Sequence, residues 1–394
     1  MNSDNNKSIF KVLKENKKKA VIISCFHGWY NNRLKPIIKT LEDREYEVTC
    51  YLSDFDHIKK EYVKTNSGFN CYFVHVPSYN SNISIKRIIS HLLFGNEINK
   101  LINNERPDLI YLLVPPNNTA KYCTLYKKCY PNTKLIIDII DMWPESFPFM
   151  GFNDNYIFKR WKKLRDDAIK ESDFIFTECD YYQQQLLDIF KEKKMYSLFL
   201  FKEQSLEERQ LVLNSLQHKK TNSKNLKFAY LGSINNIIDI DGICNVIYNY
   251  INSGYQCDLH AIGDGEKREL FEQKIMQLGC KTKFYGKILD ETSKINILTQ
   301  CDYGLNMMKD ISVGLTLKSI DYFSYGLPII NNIKGDTWEL VEKENIGINV
   351  SSNFDVSHYD LNFSNEKILQ LFYNKFSKES FMKRLDYAFG ENDV

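Results

Sequence analysis

GLTLKSIDYFSYGLPII, residues 314–330, is the stretch on which the reading of the chain turns. Gly314 gives backbone freedom where a loop must approach a ligand. Thr316 is placed to cap a helix that starts at Leu317. Lys318 falls in its first turn and Asp321 three residues on, so the two share a face. The free N–H groups and dipole of a helix N-terminus bind phosphate, and Lys318 adds a full positive charge. Asp321 cannot bind phosphate, so its carboxylate suits a neutral polyhydroxylated group such as ribose. Gly326 stops the helix and Pro328 opens a short buried strand. The plainer reading is one solvated Lys318–Asp321 pair on an ordinary helix.

Outward from this stretch the chain alternates strands and helices. Residues 20–25, AVIISC, are a continuous apolar run of the kind a buried parallel sheet needs. Strands follow near 48–52, 71–76, 108–114, 134–140, 173–178 and 195–200, with helices across 83–103 and 119–129. Residues 201–225 are polar, charged and glycine-free, and read as a linker. A second series then begins: strand 226–232, helix 240–252, strand 257–263, helix 266–278, strand 282–286, helix 291–299 and strand 301–308. Strand and helix taking turns specifies α/β architecture with doubly wound parallel sheets. Apolar residues at helical spacing from Ile368 to Phe389 add helices at the end.

Composition sets bounds. A chain of 394 residues suits two domains. Its 52 basic and 50 acidic residues leave a net charge of +2, which argues against a nucleic-acid partner. The ten cysteines form no C-x-x-C pair, and with no signal peptide or long apolar run the expected setting is cytoplasmic. Two basic amphipathic segments, 7–19 and 156–170, are candidates for peripheral contact with an anionic membrane. A solvated tail and a core-packed helix are their alternatives.

Other motifs stand in order ahead of Lys318. In the run from Tyr230 a strand ends at Gly232, and Gly232 and Ser233 offer bare backbone to phosphates. Gly263 and Gly265 lie in IGDGEKREL, and Lys287 and Ile288 follow FYG. In the first half, His27 and Gly28 follow the first strand, where ligands approach open α/β sheets. IIDMWPESFP, with Asp141, Trp143 and Glu145, follows another strand.

Together these elements resemble GT-B glycosyltransferases, near family four of that class. Thr316, Lys318, Asp321, Tyr322, Gly326, Pro328 and Ile329 match its Ser/Thr/Asn-x-Lys-x-x-Asp/Glu-Tyr-x-x-x-Gly-x-Pro-Ile/Val pattern. The resemblance implies two Rossmann-like domains with a cleft between them. Residues 1–200 would bind the acceptor, 201–225 link, 226–364 hold a nucleotide sugar, and 365–394 cross back to the first domain. It implies a donor site of Gly28, Gly232, Ser233, Gly263, Lys287, Ile288, Thr316, Lys318 and Asp321, with the backbone at 287–288 reading the base. His27, Trp143 and Glu145 fall on the acceptor side, and Lys318 and Asp141 are the catalytic candidates. The implied reaction is sugar transfer from a nucleotide-diphosphate sugar, a UDP-sugar in particular, to a saccharide or lipid-linked acceptor of bacterial surface polysaccharide synthesis. Retention of configuration and the absence of cofactor or metal belong to the same expectation, and homo-oligomerisation is left open. Two departures bear on it. Val313 stands where the fuller motif has a first glutamate, and Asn235, Asn236, Asp239 and Asp241 occupy the region of the family's basic pair. A non-catalytic partner subunit and a nucleotide-sugar 2-epimerase are the rival readings.

Overall fold

A computed structural model describes residues 17–63, 71–81, 84–146, 155–219, 224–309, 314–351 and 362–394. Residues 7–16 of the first basic segment, and Val313, lie outside the described residues.

The first elements are β1 (Lys19–Ser24), α1 (Lys35–Asp43), β2 (Glu47–Ser53), β3 (Phe55–Asp56), β4 (Glu61–Tyr62) and β5 (Tyr72–Val74). Then come α2 (Ile85–Glu105), β6 (Leu109–Val114), α3 (Asn117–Cys129) and β7 (Lys134–Ile139). They are followed by α4 (Tyr156–Glu171), β8 (Phe174–Thr177), α5 (Asp180–Leu187), β9 (Met195–Ser197) and α6 (Leu206–Gln217). The sheet runs β5-β2-β1-β6-β7-β8-β9, while β3 and β4 make a small antiparallel hairpin. All six residues of β6 are buried, as a strand covered on both faces requires. Below it, the buried Arg33 guanidinium forks onto Asp138 at 2.6 and 2.5 Å, and the Tyr111 hydroxyl donates to the same carboxylate at 2.7 Å. That network satisfies a charge pair which burial would otherwise make very costly.

The second series is β10 (Asn225–Leu231), α7 (Ile240–Asn252), β11 (Gln256–Ile262), α8 (Arg268–Gln277), β12 (Lys281–Gly286), α9 (Glu291–Leu298) and β13 (Tyr303–Asn306). It closes with α10 (Leu317–Ser324), β14 (Ile329–Asn331), α11 (Asp336–Glu344), β15 (Gly347–Asn349), α12 (Asn365–Lys375) and α13 (Lys378–Gly390). The sheet order is β12-β11-β10-β13-β14-β15, with every neighbouring pair parallel. Strand order therefore reverses between β10 and β13, the switch point at which open α/β sheets bind ligands. On α7, Ile240, Ile243, Val246, Ile247 and Tyr250 recur at helical spacing and are all buried. Each large aliphatic side chain so covered contributes about 1.5–3 kcal/mol.

The chain forms two compact units, Met1–Asp138 with Lys163–Phe174 and Val394, and Ile139–Lys162 with Ile175–Asp393. The stretch read as linker contains α6, whose capping box joins Ser205 and Glu208 reciprocally. Within the second unit, α12 and α13 pack on the segment around β9. Phe376 meets Phe199, Phe389 meets Phe176, and Lys202 N–H donates to Phe376 O at 2.9 Å. On α4, Trp161 is half-buried and packs edge-on to Trp143, with ring centres 5.7 Å apart.

Candidate active site

The helix expected after Thr316 is present as α10. Thr316 is its N-cap, the Oγ1 accepting from Ser319 N–H at 3.2 Å. This cap is tied to the sheet by a chain of hydrogen bonds. Thr316 Oγ1 donates to Asn306 Oδ1 at 2.8 Å, and Asn306 Nδ2 to Asn331 Oδ1 at 2.9 Å. Asn331 Nδ2 donates to Asn349 Oδ1 at 2.8 Å, and Asn349 Nδ2 to Trp338 O at 2.9 Å. The three asparagines are the last residues of β13, β14 and β15 and stand in register. Every donor points the same way, so each bond polarises the next. Tyr322 adds a second anchor, its hydroxyl accepting from Leu231 N–H at 2.8 Å. The Tyr322 ring fits because Gly304 has no Cβ, which would lie 2.6 Å from it.

A cavity of about 330 Å³ opens beside α10 at the carboxyl ends of β10, β11 and β12. Its walls include Gly232, Ser233, Gly263, Lys287, Ile288, Lys294, Lys318 and Asp321. The glycines are a steric necessity. A Cβ on Gly263, at φ +146°, would sit 1.9 Å from Gly232 O, and one on Gly265, at φ +157°, 2.3 Å from Ile234 O. Gly232, at φ +127°, leaves room for the Lys318 stem, whose Cδ would be 3.4 Å from an added Cβ. The Lys318 ammonium lies 4.9 Å from the centre of the Tyr230 ring. Among the described residues no carboxylate lies within ion-pair distance of it. Burial pulls its pKa from 10.5 down to about 8.

The plainer reading, a Lys318–Asp321 pair, is not what forms: Asp321 pairs with Lys202 instead. Lys202 Nζ donates to Asp321 Oδ1 at 2.8 Å and to the Tyr325 hydroxyl at 2.7 Å, and it also pairs with Glu291. Tyr325 in turn donates to Glu291 Oε1 at 2.6 Å. Burial alone would raise the Glu291 carboxyl, but Lys202, with Tyr325 and Lys294, outweighs it and holds the pKa below the ordinary value. Lys202 thus fixes Asp321 through one oxygen and leaves Oδ2 with lone pairs for a hydroxyl. Nothing in the sequence singles out Lys202, 119 positions from its partner.

Gly314 needs its bare backbone for a reason other than ligand approach. An added Cβ would be 2.3 Å from Cys179 Sγ, and Gly314 O accepts from Thr337 N–H at 3.0 Å. Beside it, Asp336 accepts from the amides of Asp180 and Tyr181 at 2.8 and 2.6 Å. Burial raises its carboxyl to about 6.

The remaining candidates do not line this cavity. Asp141 accepts from Trp143 Nε1 at 2.7 Å, and Glu145 pairs with Lys162 at 3.0 Å. In the first unit, His27 Nε2 is 3.4 Å from Asp56. Gly28 occupies an exposed 3-10 turn where an added Cβ would meet nothing within 4 Å. Among the described residues no group of three or more His, Cys, Asp or Glu side chains could hold a metal ion.

No family model and no curated protein sequence matches the chain. Solved structures match it over nearly its whole length. The apo form of the lipopolysaccharide outer core galactosyltransferase WaaB has a TM-score of 0.66 at 12% identity, covering 95% of this chain and 99% of its own. Sucrose-phosphate synthase from Thermosynechococcus elongatus gives 0.65 at 10% identity, with 95% and 99% covered. HepE from Anabaena, in complex with UDP, gives 0.60 at 12%, with 95% and 100% covered. The chain has the GT-B fold of these glycosyltransferases, with two parallel-sheet α/β domains. Identities this low establish the fold and not the chemistry.

Proposed function

We propose that the chain is a glycosyltransferase using a nucleotide-diphosphate sugar, a UDP-sugar in particular. The observation that carries this reading is the Lys318 ammonium, which among the described residues has no carboxylate partner, beside a capped helix N-terminus and a cavity walled by glycine backbone. A half-buried cation without a counter-charge is costly unless an anion completes it. A diphosphate does so, accepting hydrogen bonds from the ammonium and the first-turn amides of α10. Asp321 Oδ2 takes the ribose hydroxyls, and the backbone at Lys287 and Ile288 borders the base. Solved forms of HepE hold UDP or UDP-glucose, which favours uridine as that base.

In the reaction the bond between the anomeric carbon and the diphosphate oxygen breaks, and a bond to an acceptor hydroxyl oxygen forms. The hydroxyl proton leaves with the departing phosphate or through a base. Charge develops on the phosphate oxygen, and Lys318 with the α10 amides meets it where it grows. By the family resemblance configuration is retained, a course that needs no strong protein base. Asp141 is the base candidate on an inverting course. His27, Trp143 and Glu145 are proposed for the acceptor side, a saccharide or lipid-linked saccharide of bacterial surface polysaccharide synthesis.

The test is to incubate the purified chain with UDP-sugars, with and without a bacterial membrane extract. The proposal expects donor-dependent labelling of the extract and slower donor hydrolysis without it. An isomerised donor would mark an epimerase, and failure to bind any nucleotide sugar would mark a non-catalytic subunit.

A further inference from the structure

The outer face of α2 has the wrong polarity for a helix in water. Its inner face is ordinary: Phe94, Gly95, Ile98 and Ile102 are buried. The opposite face of its first turns is apolar as well. Ile85, Ile88, Ile89, Leu92 and Leu93 recur at helical spacing and are 42–76% exposed. Beyond Leu93 that face turns polar, with Asn96, Glu97 and Lys100, so the apolar patch is confined to one end of the helix. The β3–β4 hairpin extends it. Arg87 of α2 and Lys60 of the hairpin both lie over the Tyr79 ring, at 5.9 and 4.8 Å, which brings the hairpin turn beside the first turn of α2. At that turn Ile58 is 75% exposed.

Charge identifies the occupant. Lys59 and Lys86 are exposed among the six aliphatic residues, Lys60 and Arg87 lie half-buried beside them over Tyr79, and no acidic residue occurs on α2 before Glu97. Asp56 faces inward, accepting from the Ile58 and Lys59 amides and pairing with His27, which leaves Glu61 as the exposed acid of the hairpin. A protein partner would be expected to meet aromatic anchors and few lysines. Bare aliphatics ringed by lysine and arginine instead complement an anionic bilayer, whose acyl boundary takes the side chains and whose headgroups take the cations.

We propose that the N-terminal end of α2 and the β3–β4 turn form a docking surface for anionic phospholipid membranes. The surface stands on exposure and charge, and holds whether or not the chain transfers sugar. It lies at the carboxyl edge of the first unit's sheet, the edge where His27 follows β1. If the acceptor is lipid-linked, docking there brings the membrane to the acceptor-side candidate.

Flotation of the full chain with phosphatidylcholine vesicles, with and without roughly one-third phosphatidylglycerol, tests this. The chain should float with the mixed vesicles, less with phosphatidylcholine alone and less at high salt. Ile88→Asp combined with Leu92→Asp should lower the bound fraction at least about tenfold, and Lys59→Glu with Lys86→Glu should also lower it. Both pairs are on the surface, so circular dichroism and the melting temperature should stay unchanged. Three results would overturn the proposal: no flotation, equal flotation of wild type and the aspartate variant, or a concentration-dependent dimer in sedimentation velocity that the aspartates dissolve without vesicle binding. None of these readouts involves a nucleotide sugar, so failure here is separable from failure of the transferase reading.

Discussion

Replacing Lys318 with methionine should make the free protein more stable and the donor complex weaker. The ammonium has a pKa of about 8 against an ordinary 10.5, so keeping it charged at pH 7 costs the folded state up to about 3 kcal/mol. The unfolded chain holds this proton until about pH 10.5, while the folded chain releases it near 8. Wild-type stability should therefore rise with pH across that window. Methionine keeps the stem and its contacts with Gly232 while removing the charge, so Lys318→Met should gain up to the same amount at pH 7. A diphosphate oxygen about 4 Å from the ammonium gains about 4 kcal/mol at an effective dielectric near 20. Allowing for the water each group sheds, about 2–4 kcal/mol of binding is lost in the variant, about 30- to 1,000-fold in Kd. Chemical denaturation at pH 7 reads the first effect and titration calorimetry with UDP the second. A variant less stable than wild type, or one binding UDP equally well, would refute the reasoning.

Gly263→Ala forces a Cβ to within 1.9 Å of Gly232 O. It should cost about 2–4 kcal/mol of stability and abolish the UDP-induced rise in melting temperature. Gly232→Ala meets the flexible Lys318 stem at 3.4 Å, so UDP affinity should fall further than its stability loss of about 1–2 kcal/mol. Lys202→Ala leaves Asp321 and Glu291 facing each other and should destabilise by about 2–3 kcal/mol at pH 7 by denaturation. Glu291 has a lowered folded pKa, so its share of stability is present above about 4.5 and disappears as pH falls through the folded value, narrowing the gap to wild type. For Asp336 the direction is opposite, because burial raises the carboxyl from 3.8 to about 6. Between those values the folded state holds the proton more tightly. Wild type should lose about 2 kcal/mol relative to Asp336→Asn on going from pH 4 to 7; parallel stability curves would contradict this.

What the sequence discloses follows the range of the interactions involved. The strand–helix alternation, the Thr316 cap, the stop at Gly326 and the helix 240–252 are local, set by residues a few positions apart, and they lie where the pattern puts them. Gly232, Gly263, Lys287, Ile288, Lys318 and Asp321 meet in one cavity because each follows or adjoins a strand of one parallel sheet. The polar partners were hidden by distance along the chain. Lys202 sits in a stretch whose polarity reads as linker, and only folding brings it to Asp321. Arg33 and Asp138 are 105 residues apart and have no spacing to betray them. The asparagine chain did leave a signal. YGLN, IIN and GIN are three short apolar strands, each ending in asparagine, and parallel register places those ends side by side. Gly314 shows the converse, a glycine rightly marked as special whose reason is the Cys179 side chain.

Proton uptake on donor binding tests most directly whether Lys318 holds the diphosphate. At pH 8.5 a group with a pKa of about 8 is only about one-quarter charged in the free protein, and a bound diphosphate should restore its proton. Titration calorimetry with UDP in buffers of different ionisation enthalpy should then give an uptake of about 0.7 proton per UDP. The uptake should vanish in Lys318→Met and shrink toward zero in wild type at pH 7. Binding at pH 8.5 with no uptake, or the same uptake in the variant, would contradict the account.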